Sequence, residues 1–192
     1  PMDLQPGDRL TLRDALYSTL LGSDNVSALT VASFVGRDLV SRRGGGAPIA
    51  AFVAEMNNLA RSLRMAKTHF TAPHGLDAGN SVSTSCALDM ALLGVYSMQN
   101  PAFCYIVSQA SRRIEVQSQT KGRTMYDSSN NNRLMGASGV DGSKAGTSRA
   151  AGSCLLLSVT RNAISRRSPQ TGTEVIYPQR MIIAVLGSAS RY

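Results

Sequence analysis

The sequence predicts an α+β fold in which a helical block packs on an antiparallel sheet. Two observations carry this expectation. Apolar residues recur every three or four positions through the first half of the chain, and from "RIEVQ" onward the repeat shortens to two. A third observation bounds the architecture: 192 residues at 43% hydrophobic suffice for one sizeable core, so one domain, or most of one, is expected.

The elements follow in order. Thr11 and Asp14 make a capping-box-like start, after which Leu12, Ala15, Leu16, Thr19 and Leu20 share one helical face until Gly22. Ser23, Asp24 and Asn25 form a polar turn that opens a second helix, expected to end at Gly36 ahead of the loop "SRRGGGAP". From Pro48 the spacing is most regular. Ile49, Phe52, Val53, Met56, Leu59, Ala60 and Leu63 form a stripe, while Glu55, Asn57, Asn58, Arg61 and Arg64 face away. "THFTAPHGLDAGNSVST" reads as a loop, with Ser83 to Ser85 capping a helix over "CALDMALLGVYSM". Asn100-Pro101 starts another short helix, with proline at its first position. "RIEVQ", "SCLLLSVTR" and "MIIAVLGS" then read as strands, the last of them neighbours, separated by Gly, Asn, Ser and Pro.

Composition narrows the function classes. A net charge of +8 invites a nucleic-acid partner. The basic residues argue against it: they fall in separated pairs (Arg42-Arg43, Arg112-Arg113, Arg166-Arg167), with no basic helix, no aromatic RNA-binding strand and no zinc-finger spacing. A solvated basic surface, or one that meets anionic polymers of the cell envelope, is expected instead. No apolar run approaches the roughly 20 residues of a membrane span. The chain opens on Pro1, and any targeting segment is expected upstream. Cys86, Cys104 and Cys154 are odd in number and lack CxxC spacing, so buried thiols are expected rather than disulfides or zinc. His69 and His74 are not read as a metal pair, and no cofactor is expected.

The chemistry concentrates in "VDGSKAGTSRAAG". Only three of the twenty basic residues are lysines, Lys67, Lys121 and Lys144. An ammonium at residue 144, among small residues on a strand edge, presents a point charge to an anion or a developing oxyanion. Gly146 lets a substrate backbone come close, and Thr147 and Ser148 add hydroxyl donors. A solvated lysine in a turn is the plainer alternative for this stretch alone.

Order and company favour chemistry. Ser23-Asp24-Asn25 followed by Lys144-Ala145-Gly146 resembles the S-x-N and K-T-G motifs of the penicillin-recognising serine enzymes. "FVAEMNNLARSLRMAKTHFTAPHGLD", "STSCALDMALLG", "GVDGSKAGTSRAAGSCLLLSVTR" and "VLGSASR" are similar to segments of the low-molecular-mass D-alanyl-D-alanine carboxypeptidases. The resemblance runs across nearly the whole chain. It implies a β-lactamase/transpeptidase-like fold, a helical subdomain packed on one antiparallel sheet of about five strands with the site at their junction, and an acyl-enzyme carboxypeptidase of the periplasm or cell surface. The implied partners are peptidoglycan D-Ala-D-Ala peptides and β-lactams. It also allows peripheral membrane association through segments outside this chain. By motif, Ser23 would relay a proton to the leaving group and Asn25 would bond the substrate amide. Lys144 would supply positive charge, Gly146 and Thr147 would lie along the substrate-pairing strand, and Arg191 would sit near the site. Asp24 fills the variable middle position and reads as a helix N-terminal acid.

Two departures qualify the resemblance. The family carries its nucleophile in an S-x-x-K motif N-terminal to S-x-N, and residues 1–22 contain none, so residues 1–192 are expected to be a partial penicillin-binding domain completed by segments outside them. Ser118-Gln-Thr-Lys121 fits the string, but beside an alternating strand residues three apart point to opposite faces and cannot share a proton. The second departure is Ala145, where the family has a hydroxyl. Losing one charge-assisted hydrogen bond is worth about 1.5–3 kcal/mol, slowing turnover about 10- to 100-fold. A catalytically inactive peptidoglycan- or partner-binding relative is the alternative. A class A β-lactamase is disfavoured, because neither Glu55 nor Glu115 lies in the Glu-x-x-Leu-Asn pattern that enzyme needs.

Overall fold

The computed structural model describes residues 2–76 and 82–190. Helices α1 (Leu12–Leu20), α2 (Asn25–Arg43), α3 (Pro48–Ser62), α4 (Ala87–Ser97) and α5 (Pro101–Val107) precede strands β1 (Ser111–Ser118), β2 (Gly122–Ser129), β3 (Val140–Ser148), β4 (Gly152–Arg167) and β5 (Glu174–Ser188). The α+β expectation holds, and the strands divide into two groups. β1 and β2 form a separate antiparallel hairpin, whereas β3, β4 and β5 form an antiparallel sheet in that order. The Ser118-to-Lys121 string is the turn of the first hairpin, where Ser118 Oγ accepts from the Lys121 amide at 3.4 Å.

Local signals explain most helix starts. The Thr11 hydroxyl accepts from the Asp14 amide at 3.0 Å, the Asp24 carboxylate caps α2, and Asn100 caps α5 ahead of Pro101. Helix α4 departs from expectation: Cys86 is its N-cap and makes no side-chain cap bond, while the Ser85 hydroxyl pairs with that of Thr68. The face buried by α1 is also rotated from the expected one. Ala15, Tyr17, Ser18 and the following Leu21 are buried, whereas Leu12 is exposed.

Helix α2 runs seven residues past Gly36 and ends at Gly44, whose φ of +81° suits a C-cap. Gly36 has a different task. Ala28, Ala32 and Gly36, four apart, form a buried stripe of small residues, and a Cβ on Gly36 would lie 2.0 Å from the Pro48 carbonyl oxygen. The start of α3 therefore rests directly on the α2 backbone, and Arg43 closes the hairpin through an exposed ion pair with Glu55 at 2.7 Å.

Asn57, read as outward-facing, instead clamps the following loop: its amide donates to the Phe70 carbonyl and accepts from the Phe70 amide, both at 2.8 Å. Asp89 holds the same loop by accepting from the Lys67 amide and the Thr68 hydroxyl at 2.8 Å each. Burial pushes the Asp89 pKa up, but these hydrogen bonds outweigh it and hold the carboxyl below the ordinary aspartate range.

Two apolar clusters anchor the elements. Met2, Tyr17, Leu21, Ile114 and Val116 join α1 to β1. Val140, Ala145, Leu155, Leu157 and Val159 line one face of the sheet, and α4 and α5 cover the other. Gly94 of α4 approaches Ile182 and Leu156 so closely that a Cβ would lie 2.7 Å from the Ile182 methyl, and on Gly142 of β3 a Cβ would lie 2.9 Å from a Val107 methyl of α5.

Candidate functional site

The turn before α2 and the free edge of β3 meet at one point. Ser23 lies between the end of α1 and the cap of α2, with φ at +57° in the left-handed region. That conformation costs a residue with a Cβ about 1–2 kcal/mol, and backbone outliers of this kind cluster at functional sites. It aims the hydroxyl at β3: Ser23 Oγ donates to the Ala145 carbonyl at 3.2 Å and accepts from Lys144 Nζ, which also donates to the Ala145 carbonyl. The expected serine and lysine, 121 residues apart in sequence, are thus in direct contact.

Asp24 is 5% exposed and accepts from the Ser27 amide at 3.0 Å and the Ser27 hydroxyl at 2.6 Å. It is the helix N-terminal acid that the sequence suggests. Asn25, half-buried, opens α2 beside the pair.

Strand alternation separates Lys144 from Ala145. Lys144 is half-buried on the side of the helices, and Ala145 is 2% exposed within the Leu155, Leu157 and Val159 cluster on the opposite face. Residue 145 therefore brings a carbonyl to the site, and its side-chain direction belongs to the core. Because the Ala145 carbonyl points away from β4, the N–H and C=O of Thr147, two residues on, face the same free edge. Thr147 is exposed, and a Cβ on Gly146 would meet nothing within 4 Å, so this edge is open. The Ser148 hydroxyl is engaged in the β3–β4 turn, where it accepts from the Ala151 amide at 3.0 Å. Arg191 lies outside the described residues.

Behind the turn lies a cavity of about 200 Å³ whose lining includes Ser18, Gly22, Asp24, Ser128 and Asn131. The Ser128 hydroxyl is buried there without a hydrogen-bond partner. Asn131, which the sequence reading passed over, donates through its side chain to the Gly22 carbonyl at 3.1 Å. Its only signal in the sequence is the run of three asparagines that follows a strand.

The remaining candidates are structural. The His69 backbone bridges Thr84, and the His74 ring accepts from the Leu76 amide. Among the described residues no three His, Cys, Asp or Glu side chains cluster as metal ligands. The three cysteines are free and half-buried, less enclosed than expected: Cys86 is a helix N-cap, Cys104 lies in the first turn of α5 and Cys154 near the start of β4. No helix among the described residues is long and apolar enough to cross a membrane.

A profile of the family described as D-alanyl-D-alanine carboxypeptidase matches residues 1–168. The chain is 29% identical over 162 residues to D-alanyl-D-alanine carboxypeptidase DacC of Escherichia coli, covering 83% of this chain and 36% of that protein. It is also 29% identical over 157 residues to the D-alanyl-D-alanine carboxypeptidase of Streptomyces sp. strain K15, covering 81% of this chain and 52% of that one. The crystal structure of the Streptomyces K15 DD-transpeptidase superposes with a TM-score of 0.75 at 27% identity, over 98% of this chain and 64% of that one. The chain thus spans about a third to a half of the length of these curated relatives.

Proposed function

The chain belongs to the D-alanyl-D-alanine carboxypeptidase family, and on that premise we propose that it supplies the proton relay and the substrate edge of a serine acyl-transfer site. The substrates are the D-Ala-D-Ala ends of peptidoglycan stem peptides, and β-lactams acylate the same site. The contact between Lys144 Nζ and Ser23 Oγ at the open end of β3 carries the proposal.

In this reaction the serine of an S-x-x-K segment outside residues 1–192 attacks the carbonyl of the penultimate D-Ala. The C–N bond breaks, Ser23 passes a proton to the departing amine, and water then cleaves the ester. Lys144 favours that transfer by its charge and attracts the substrate carboxylate. Asn25 bonds the substrate amide. The carbonyl of Ala145, the backbone of Gly146 and Thr147, and then Ser148 line the path of the bound peptide, and Arg191, by its motif alone, adds a basic group for the substrate. This chemistry belongs in the bacterial cell envelope, at the periplasmic or outer cell surface.

The apolar surface supports a matching domain proposal. Phe34, Leu88 and Tyr105 are 56%, 69% and 61% exposed, as expected of a partial penicillin-binding domain whose core is completed by further segments. Cooperative unfolding of residues 1–192 alone with an ordinary heat-capacity change would overturn that part.

The second reading, a peptidoglycan-binding relative without catalysis, draws on the alanine at residue 145, and it is weakened because that side chain lies in the Leu155, Leu157 and Val159 cluster. Intact mass measured before and after exposure to a fluorescent penicillin separates the two. A covalent adduct supports the enzyme, and its absence on folded protein that contains the S-x-x-K segment leaves the binder.

A further inference from the structure

Three consecutive asparagines tie the two walls of the site to each other. Asn130 donates through its side chain to the Val107 and Gln109 carbonyls at the end of α5, both at 3.0 Å, and its Oδ1 accepts from the Asn132 amide at 2.9 Å. The Asn131 backbone amide donates to the Leu21 carbonyl at 3.1 Å, and its side chain donates to the Gly22 carbonyl, the residue before Ser23. Asn132, 2% exposed, donates through its side chain to the Gly142 carbonyl at 3.5 Å, two residues before Lys144, and accepts from the Leu134 amide at 3.1 Å. One short segment therefore grips the end of α5, the Ser23 turn and the start of the Lys144 strand.

Leu21 is buried in the core and Gly22 packs against Ser128, where a Cβ would lie 2.8 Å from the hydroxyl, but that contact brings no hydrogen bond to the turn. The cavity lined by Gly22, Asp24, Ser128 and Asn131 borders it. The left-handed backbone at Ser23 also needs an external restraint to persist. We propose that Asn130–Asn132 is a positioning clasp that fixes the Ser23 hydroxyl against the Lys144 ammonium, with Asn131 as its contact on the turn. As a statement about catalysis this rests on the relay role proposed above. As a statement about the Ser23–Lys144 geometry it stands separately.

Lysine is scarce in residues 1–192, which carry three, so the Lys144 signal can be followed in folded protein that also contains the S-x-x-K segment. With lysine labelled at 13Cε, the Lys144 resonance is assigned by its loss in Lys144→Met, and Ser23→Ala gives the position it takes when its partner is removed. Asn131→Ala and the isosteric Asn131→Asp, both at an exposed position, are expected to move the Lys144 resonance toward the Ser23→Ala position. Asn58→Ala, which removes comparable surface hydrogen bonds on α3, is expected to leave it in place. A merely structural role would lower the melting temperature without moving a resonance of the folded state. A Lys144 signal in folded Asn131→Ala and Asn131→Asp that coincides with wild type overturns the clasp, as does an equal shift in Asn58→Ala. Failure to form a penicillin adduct would count against the relay role and leave this readout intact.

Discussion

The two walls of the candidate site are built in opposite ways. The Ser23 wall is closed: its backbone is held in a costly conformation, its cap residue Asp24 is buried and doubly bonded to Ser27, and Asn131 grips it from behind. The β3 wall is open. Beyond Ala145 it offers an unobstructed glycine, an exposed threonine and a free backbone edge. The difference assigns separate tasks: the first wall fixes a proton-transfer group in one geometry, and the second leaves backbone donors and acceptors for an extended peptide to pair with.

Four substitutions test this contrast, read as acylation rate by a fluorescent penicillin in protein containing the S-x-x-K segment, alongside thermal melting. Lys144→Ala removes the charge that bridges the walls and is expected to slow acylation on the order of 10²–10³-fold. A rate within a few-fold of wild type would remove the relay. Thr147→Pro removes the N–H on the free edge together with the hydroxyl, at a place where an edge strand tolerates proline, and a loss of about 10²-fold is expected with little change in melting. An unchanged rate would mean that the edge does not meet the substrate.

Ala145→Thr is expected to cost about 1–3 kcal/mol of stability, because the hydroxyl enters the Leu155–Leu157–Val159 cluster, and to bring no gain in rate. If threonine raises the rate at an unchanged melting temperature, its hydroxyl reaches the substrate and the contrast between the walls is wrong. Asp24→Ala, on the closed wall, is expected to cost about 1 kcal/mol through the lost helix cap, or about 2–4 °C of melting temperature in a chain this size. Asp24→Asn should restore most of it.

Much of this was legible in the sequence, and the misreadings share a physical cause. The Ser23 turn, the Asp24 cap and the Lys144 strand came from short-range patterns, because caps and alternation depend on neighbours in the chain. Gly36 looked like a helix end since glycine often stops helices, yet here it removes a Cβ from the path of the Pro48 carbonyl, a contact that only the folded hairpin reveals. Asn57 looked solvent-facing by helical spacing and is drawn inward by the Phe70 backbone. A motif records which residue stands at position 145 but not which face of β3 is buried. The Asn130–Asn132 run resembles any polar turn, because its partners lie in three separate parts of the chain.

The left-handed backbone at Ser23 has a consequence for how such a protein can be improved. Glycine adopts that conformation without the penalty a Cβ imposes, so a laboratory selection that rewarded heat resistance alone would favour Ser23→Gly and discard the hydroxyl with it. A serine kept at this bend marks a position where durability and chemistry pull the choice of residue in opposite directions.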